Sequence, residues 1–141
     1  MTLKQLSIFL ENKSGRLTEV LEILGEEKIN IIALSIADTS EYGILRLIVS
    51  DPGKAYQLLK DQGLSVNLTE VLSVKTATEA GSFAGILRIL SDENISIEYM
   101  YAFSVEDKAI LVFRTEDKEK AVEAIQRHKI RLIRASDLYE F

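Results

Sequence analysis

The sequence predicts an α+β protein made of two ferredoxin-like βαββαβ modules, each an antiparallel four-stranded sheet with its helices on one face. The first observation is a repeat, since residues 5 to 75 align without a gap with residues 71 to 141, at an offset of 66 positions. The second is that apolar residues fall on apolar residues along this alignment. The third is the order of apolar periods in each copy: strand, helix, strand, strand, helix, strand. We therefore predict one module over residues 1–68 and another over residues 69–141.

The first copy opens with a strand and a helix. Leu6, Ile8 and Leu10 alternate with residues 5, 7 and 9, the period of a strand with one strongly apolar face. After a short loop, Ser14 is a suitable N-cap for a helix. Four apolar residues at helical spacing then form one stripe, and the second copy repeats it. The two stripes are Leu17, Val20, Leu21 and Leu24, and Phe83, Ile86, Leu87 and Leu90.

A hairpin follows the first helix. Gly25 and the polar residues after it are expected to close that helix, and residues 29–37 are rich in the β-branched side chains that strands favour. Residues 38–43 have the composition of a turn, so residues 44–49 should form the antiparallel partner strand.

A second helix and a last strand complete the first copy. Asp51 before Pro52 is the order expected of an N-cap and the first helical residue, and Gly63 suits the end of that helix. Because no linker separates Leu68 from Val71, one long strand should lead into the second copy. The second copy repeats the elements over residues 71–76, 82–92, 95–103, 109–115, 117–127 and 130–136.

Composition excludes several classes of function. The chain has no cysteine, which removes disulfides, thiolate nucleophiles and sulfur-ligated metals. A net charge of −5, with basic and acidic residues interspersed, would repel a nucleic acid backbone. No segment approaches the roughly 18 apolar residues of a membrane span, and the start of the chain lacks the apolar core of a signal peptide. We expect a cytoplasmic protein that binds neither nucleic acid nor membranes.

The sequence offers no catalytic or metal-binding constellation, and we predict a non-enzyme without a cofactor. His128, the only histidine, lies in a polar helical segment and is expected to be a solvated surface residue. No serine has a nucleophile-elbow context, and no phosphate-cradling glycine loop occurs. The acidic residues form short surface runs whose spacing does not suit a metal ion.

The loop between the first strand and the first helix is the remaining candidate site. It comprises Asn12, Lys13, Ser14, Gly15, Arg16 and Leu17. A helix N-terminus presents unpaired N–H groups, and Gly15 lets a ligand approach the main chain, so a small anion such as an amino-acid carboxylate would fit. Asn12 adds both a donor and an acceptor. The alternative is ordinary turn chemistry, in which Gly15 permits a tight turn and Asn12 caps it.

These residues resemble the ACT domain family. The loop pattern of that family is Asp or Asn, any residue, Pro-Gly, any residue, Leu; here Asn12, Gly15 and Leu17 match, and Ser14 replaces the proline. The resemblance covers both copies and implies a tandem, stand-alone protein that binds a free amino acid and regulates a metabolic enzyme or transporter. It also implies that Asn12 holds one end of the ligand, and that Asn30 and Ile31 of a neighbouring module hold the other.

The second copy matches the family pattern less closely. Its candidate residues are Thr78, Gly81, Ser82, Phe83, Ser96 and Ile97. Both asparagines are replaced, by Thr78 and Ser96, and Phe83 stands where leucine is usual. Tyr99 and Tyr101 either line a pocket for a larger side chain or pack on the sheet. The sequence therefore predicts two unequal sites.

The leading functional hypothesis is a non-enzymatic amino-acid sensor. The ligand would lie at the interface between ACT-like modules and stabilise their association, and exposed sheet edges favour a homodimer. One alternative is an assembly module that binds a protein partner without any ligand. Another is an acylphosphatase-like enzyme of the same topology, with Arg16 as the clamp for the anion.

Overall fold

The computed structural model of the chain describes residues 2–11, 14–38 and 41–138. They form two compact units. The N-terminal unit is Lys4–Thr69, and the C-terminal unit consists of residues 70–138 together with residues 2 and 3. The elements are β1 (Leu3–Glu11), α1 (Arg16–Glu26), β2 (Ile31–Asp38), β3 (Tyr42–Val49), α2 (Pro52–Asp61), β4 (Ser65–Ala77), α3 (Ser82–Asp92), β5 (Tyr99–Val105), β6 (Lys108–Arg114), α4 (Lys118–Arg127) and α5 (Ala135–Leu138).

The N-terminal unit has the strand order β2-β3-β1-β4. β3 pairs antiparallel with β1 and with β2, and the register sets Leu6 opposite Leu47 and Ile8 opposite Leu45. These four side chains are fully buried under the helices in one core cluster. The alternation predicted for β1 is confirmed at Leu6, Ile8 and Leu10, which are buried, although Gln5 before them and Ile48 on the outer face of β3 are buried as well.

The C-terminal unit repeats this arrangement with the strand order β4-β6-β5, and it has a core cluster of its own. β6 pairs antiparallel with β4 and β5. The predicted last strand over residues 130–136 is shorter than expected, because only Leu132 forms a bridge, to Val74. The chain then turns into α5, where Asp137 Oδ2 accepts a hydrogen bond from Arg134 N at 3.0 Å. This contact resembles a capping box and starts a helical turn where a strand was predicted.

The ends of the helices show the repeat in backbone geometry. At the C-terminal end of each of α1, α2, α3 and α4, one residue adopts a left-handed conformation, namely Lys28, Gly63, Asn94 and Lys129. In each case the next residue donates back to a carbonyl five residues earlier, as in a Schellman motif. α1 therefore ends within Gly25 and the polar residues after it, as predicted, with its last helical residue at Glu26.

The N-termini of α2 and α4 are capped as the sequence indicates. Asp51 Oδ1 accepts from Lys54 N at 3.2 Å, and Asp117 Oδ1 accepts from Lys120 N at the same distance. β4 is a single strand of 13 residues, as the absence of a linker predicts. Element order, antiparallel pairing and a separate core in each unit confirm the α+β class with ferredoxin-like modules.

Candidate functional site

A cavity of about 450 Å³ lies in the N-terminal unit, where β1 ends and α1 begins. Its volume is within the range typical of small-molecule sites, about 300–1,000 Å³. β1, α1, β3 and the turn from α2 into β4 all contribute to its wall. The lining residues are Phe9, Leu10, Glu11, Arg16, Tyr42, Gln62, Gly63, Leu64 and Ser65.

The start of α1 is open toward its N-terminus. Gly15, and not the predicted Ser14, is the N-cap; it has a left-handed backbone (φ 87°, ψ −11°), and glycine supplies no side chain to cap the helix. A Cβ built on Gly15 would meet no atom of the described residues beyond its chain neighbours within 4 Å, so the position borders open space among them. The N–H groups of the first helical turn have no intrahelical acceptor, and they carry the positive end of the helix dipole. This end of α1 favours an anion.

Arg16 adds a full positive charge to the cavity wall. Its Nη1 lies 3.3 Å from Glu19 Oε2, and its side chain is 42% exposed. An exposed pair one helical turn apart contributes little stability, so a ligand carboxylate could replace Glu19 at low cost. Leu17, by contrast, packs against the core and supports the fold.

An aromatic pair in the cavity wall was not recognised from the sequence. Phe9 and Tyr42 make an edge contact with ring centroids 6.5 Å apart and an interplanar angle of 65°. The two residues are 50% and 49% exposed. The pair forms because the register of β1 and β3 sets Glu11 opposite Tyr42 and Phe9 opposite Ile44. Alternation alone gives the face of each residue but not this register.

The other predicted residues of the first copy are not part of this cavity. Asn12 and Lys13 lie outside the described residues. Asn30 directly precedes β2, and Ile31 is the first residue of that strand. Neither residue lines the cavity. The Asn30 N–H donates to Ser50 Oγ at 2.9 Å, and Asn30 is exposed. Of the described candidate residues of the first copy, Arg16 lines this cavity, whereas Ser14, Gly15, Leu17, Asn30 and Ile31 are absent from its lining.

The C-terminal unit has a smaller cavity of about 300 Å³ at the equivalent loop. Thr78, Gly81, Ser82 and Phe83 line it together with their neighbours over residues 77–84. Gly81 has nearly the same backbone as Gly15, with φ 87° and ψ −7°. Phe83, predicted as part of the core stripe, is 36% exposed, because it lies in the first turn of α3 at the cavity.

Ser96 and Ile97 do not reach this second cavity. The Ser96 carbonyl accepts from Thr115 Oγ1 at 2.8 Å, which fixes the approach to β5, and Ile97 packs against the core. Tyr99 and Tyr101 are half-buried in β5, opposite Arg114 and Val112, and neither lines a cavity described above. The cavity of the second copy therefore consists of its loop alone.

The described residues show no metal site. No group of three or more His, Cys, Asp or Glu side chains among them is placed to hold a metal ion. His128 is exposed at the C-cap of α4, with its Nδ1 2.9 Å from the Ala124 carbonyl oxygen. Among the residues that the structure describes, no helix is both long and apolar enough to cross a membrane.

Comparisons with known proteins identify the family. The crystal structure of protein BT0572 from Bacteroides thetaiotaomicron is 50% identical, superposes with a TM-score of 0.95, and the match covers 100% of this chain and 98% of that one. The ligand-free regulatory subunit of aspartate kinase from Thermus thermophilus has 15% identity and a TM-score of 0.66, over 88% of this chain and 91% of that one. The same subunit from Thermus flavus has 16% identity and a TM-score of 0.63, over 88% and 90%. At such low identity these two show a shared fold.

No significant match is found among curated protein sequences. A family model described as an ACT domain pair matches residues 1–141, which confirms the predicted resemblance to the ACT domain family. That model describes a domain pair and indicates no catalytic family. The chain belongs to the ACT domain pair family.

Proposed function

We propose that the protein is a non-enzymatic regulator that binds a free amino acid. The observation that carries this proposal is the cavity in which Arg16 lies beside the uncapped start of α1. A guanidinium and a helix N-terminus on one wall provide charge-assisted donors for a carboxylate. Asn12, in the same loop of the sequence, would add a further hydrogen bond to the ligand.

The amine of the ligand would be held by a second copy of this chain. Asn30 and Ile31 supply the contacts, and they do not line the cavity with Arg16. They lie at the start of β2, the edge strand of its unit. Leu34 and Ile36 on that strand are about half exposed, and residues 31–37 contain neither lysine nor proline to block pairing. A homodimer paired along β2 would bring Asn30 of one chain toward the cavity of the other.

Ligand binding would then regulate by stabilising this pairing. A ligand of about ten heavy atoms at roughly 0.3–0.7 kcal/mol per atom gives dissociation constants from millimolar to micromolar. At 100 times its dissociation constant, a ligand stabilises the state that binds it by about 2.7 kcal/mol. The paired state would in turn act on a metabolic enzyme or a transporter.

The test is a thermal-shift screen of the twenty amino acids, followed by calorimetric titration of every hit. We expect stabilisation by at least one amino acid at millimolar concentration. Arg16→Met should weaken that hit at least tenfold, and Asn12→Ala should weaken it as well. Arg88→Met is the matched control, because Arg88 also forms an exposed pair within a helix, with Asp92 at 3.8 Å. A screen without any hit would refute the proposal.

The second candidate is an assembly module without a ligand, and the exposed apolar edge of β2 favours it. Leu34→Lys should abolish pairing under both hypotheses. Only the sensor predicts that an amino acid raises the fraction of dimer in analytical ultracentrifugation. For the acylphosphatase-like alternative, purified protein would have to hydrolyse an acyl phosphate in an Arg16-dependent manner.

A further inference from the structure

We infer that the ligand of the cavity beside Arg16 carries an aromatic ring, which makes aromatic amino acids its class. This inference rests on the proposed function and names the chemistry of its ligand. Phe9 and Tyr42, the aromatic pair in the cavity wall, carry the inference together with Arg16. It concerns the N-terminal unit alone.

The aromatic pair presents ring surface that the fold leaves uncovered. Phe9 and Tyr42 are about half exposed, although they contact each other in an edge arrangement. In stacked or edge geometries, a pair of aromatic rings attracts beyond what the burial of its area contributes. A ligand ring placed against this pair would gain such a contact and would cover apolar surface that water now reaches.

The repeat shows that folding does not require the pair. At an offset of 66 positions, lysines occupy the places of both aromatic residues: Lys75 corresponds to Phe9 and Lys108 to Tyr42. Ser82 corresponds to Arg16 in the same way. The C-terminal unit nevertheless forms the equivalent strands and a core of its own. The two rings and the cation thus occur together in one copy and are absent together from the other, as expected of parts of one site.

The lining of the cavity contains both apolar and charged side chains. Phe9, Tyr42 and Leu64 provide apolar surface, whereas Arg16 is the basic side chain among the described lining residues. The volume of about 450 Å³ exceeds that of the second cavity, about 300 Å³, whose described lining residues include neither a basic side chain nor an aromatic pair. A ligand with a carboxylate at Arg16 and a ring against Phe9 and Tyr42 would use both kinds of side chain.

The chain contains no tryptophan, so L-tryptophan can serve as its own fluorescent probe. Excitation at wavelengths longer than the tyrosine absorption band selects the fluorescence of tryptophan. The free amino acid tumbles quickly and has low fluorescence anisotropy, and this anisotropy rises when it binds the full chain. L-Phenylalanine, L-alanine, L-leucine and phenylacetate then compete for the site. We expect tryptophan and phenylalanine to bind at least tenfold more tightly than alanine or leucine.

The variants Phe9→Leu and Tyr42→Leu keep an apolar side chain and remove one ring each. We expect each to weaken tryptophan binding about tenfold and to leave leucine binding unchanged, because one ring contact of about 1.4 kcal/mol corresponds to a factor of ten. Tyr42→Phe keeps the ring and should bind normally. Met100→Leu is the control, since Met100 is an exposed apolar residue of the C-terminal unit.

The outcomes distinguish this inference from the proposed function. If leucine or alanine binds as tightly as tryptophan in an Arg16-dependent manner, the aromatic class is wrong and the amino-acid sensor stands. If phenylacetate binds and no amino acid does, the proposed function fails, although a ring-binding cavity remains. If Phe9→Leu disrupts the dimer while tryptophan anisotropy is unchanged, the rings belong to a contact between copies and the inference is overturned.

Discussion

The substitutions Gly15→Ala and Gly81→Ala form a matched pair that separates the fold from the site. Both glycines are N-caps with φ of 87°, and at both a Cβ would meet no atom within 4 Å in the part of the chain that the structure describes, apart from its chain neighbours. The cost of each substitution is therefore backbone strain, about 1–2 kcal/mol for an L-residue in the left-handed region. The smaller unfolded-state entropy of alanine offsets about 0.5 kcal/mol of this strain. We expect each variant to lose about 1 kcal/mol of unfolding free energy, measured by urea unfolding followed by circular dichroism.

Ligand affinity should differ between the two variants although their stability losses agree. The methyl group of Gly15→Ala would enter the open space in front of α1, where we propose that the carboxylate binds. We expect affinity for the best amino acid to fall at least tenfold in Gly15→Ala and to remain at the wild-type value in Gly81→Ala, measured by calorimetry. Unchanged affinity in Gly15→Ala would refute the placement of the carboxylate. Unequal stability losses would refute the assignment of the cost to strain alone.

Three further predictions concern single side chains. Ser73→Ala should raise the unfolding free energy by about 1 kcal/mol in a denaturant titration, because the fully buried Ser73 hydroxyl has no hydrogen-bond partner among the described residues; a loss of stability would contradict this. Lys129→Gly should raise the melting temperature by about 2 °C, because Lys129 has φ 57° at the helix end where the other copy has Gly63; an unchanged or lower melting temperature would count against strain at Lys129. Glu19→Gln should tighten carboxylate binding two- to threefold in calorimetry, because it removes about 0.5 kcal/mol of competition for Arg16; weaker binding would argue that Glu19 helps to position Arg16.

Much of the fold could be predicted from apolar periods and the repeat, because burial on one face is a local property of the sequence. Phe83 shows the limit of this reasoning. It has the helical spacing of Ile86 and Leu90, which are buried, yet it is 36% exposed. An apolar stripe shows which side of a helix faces the core. It does not show how far along the helix the underlying strands extend. That point depends on tertiary packing, which no local pattern contains.

The candidate site could be predicted only in part. Gly15 and Arg16 could be proposed from the sequence because a loop between a strand and a helix has a recognisable sequence and known backbone chemistry, and Arg16 does line the cavity. The aromatic pair was missed because Phe9 and Tyr42 are far apart in sequence and meet through the register of two strands. The sequence did contain a signal for the aromatic pair, because the second copy has lysine at both positions that correspond to the two rings.

The separation of Asn30 from the cavity gives the proposed regulator its physical logic. If the cavity beside Arg16 supplied every contact to the ligand, binding would have no effect on the association of chains, because a ligand shifts an equilibrium only by its differential affinity for the two states. Asn30 and Ile31 instead lie at the edge strand, outside the cavity lining. A ligand that needs both Arg16 of one chain and Asn30 of another binds only the paired state. Its free energy of binding then becomes free energy of pairing, and the concentration of an amino acid sets the fraction of dimer.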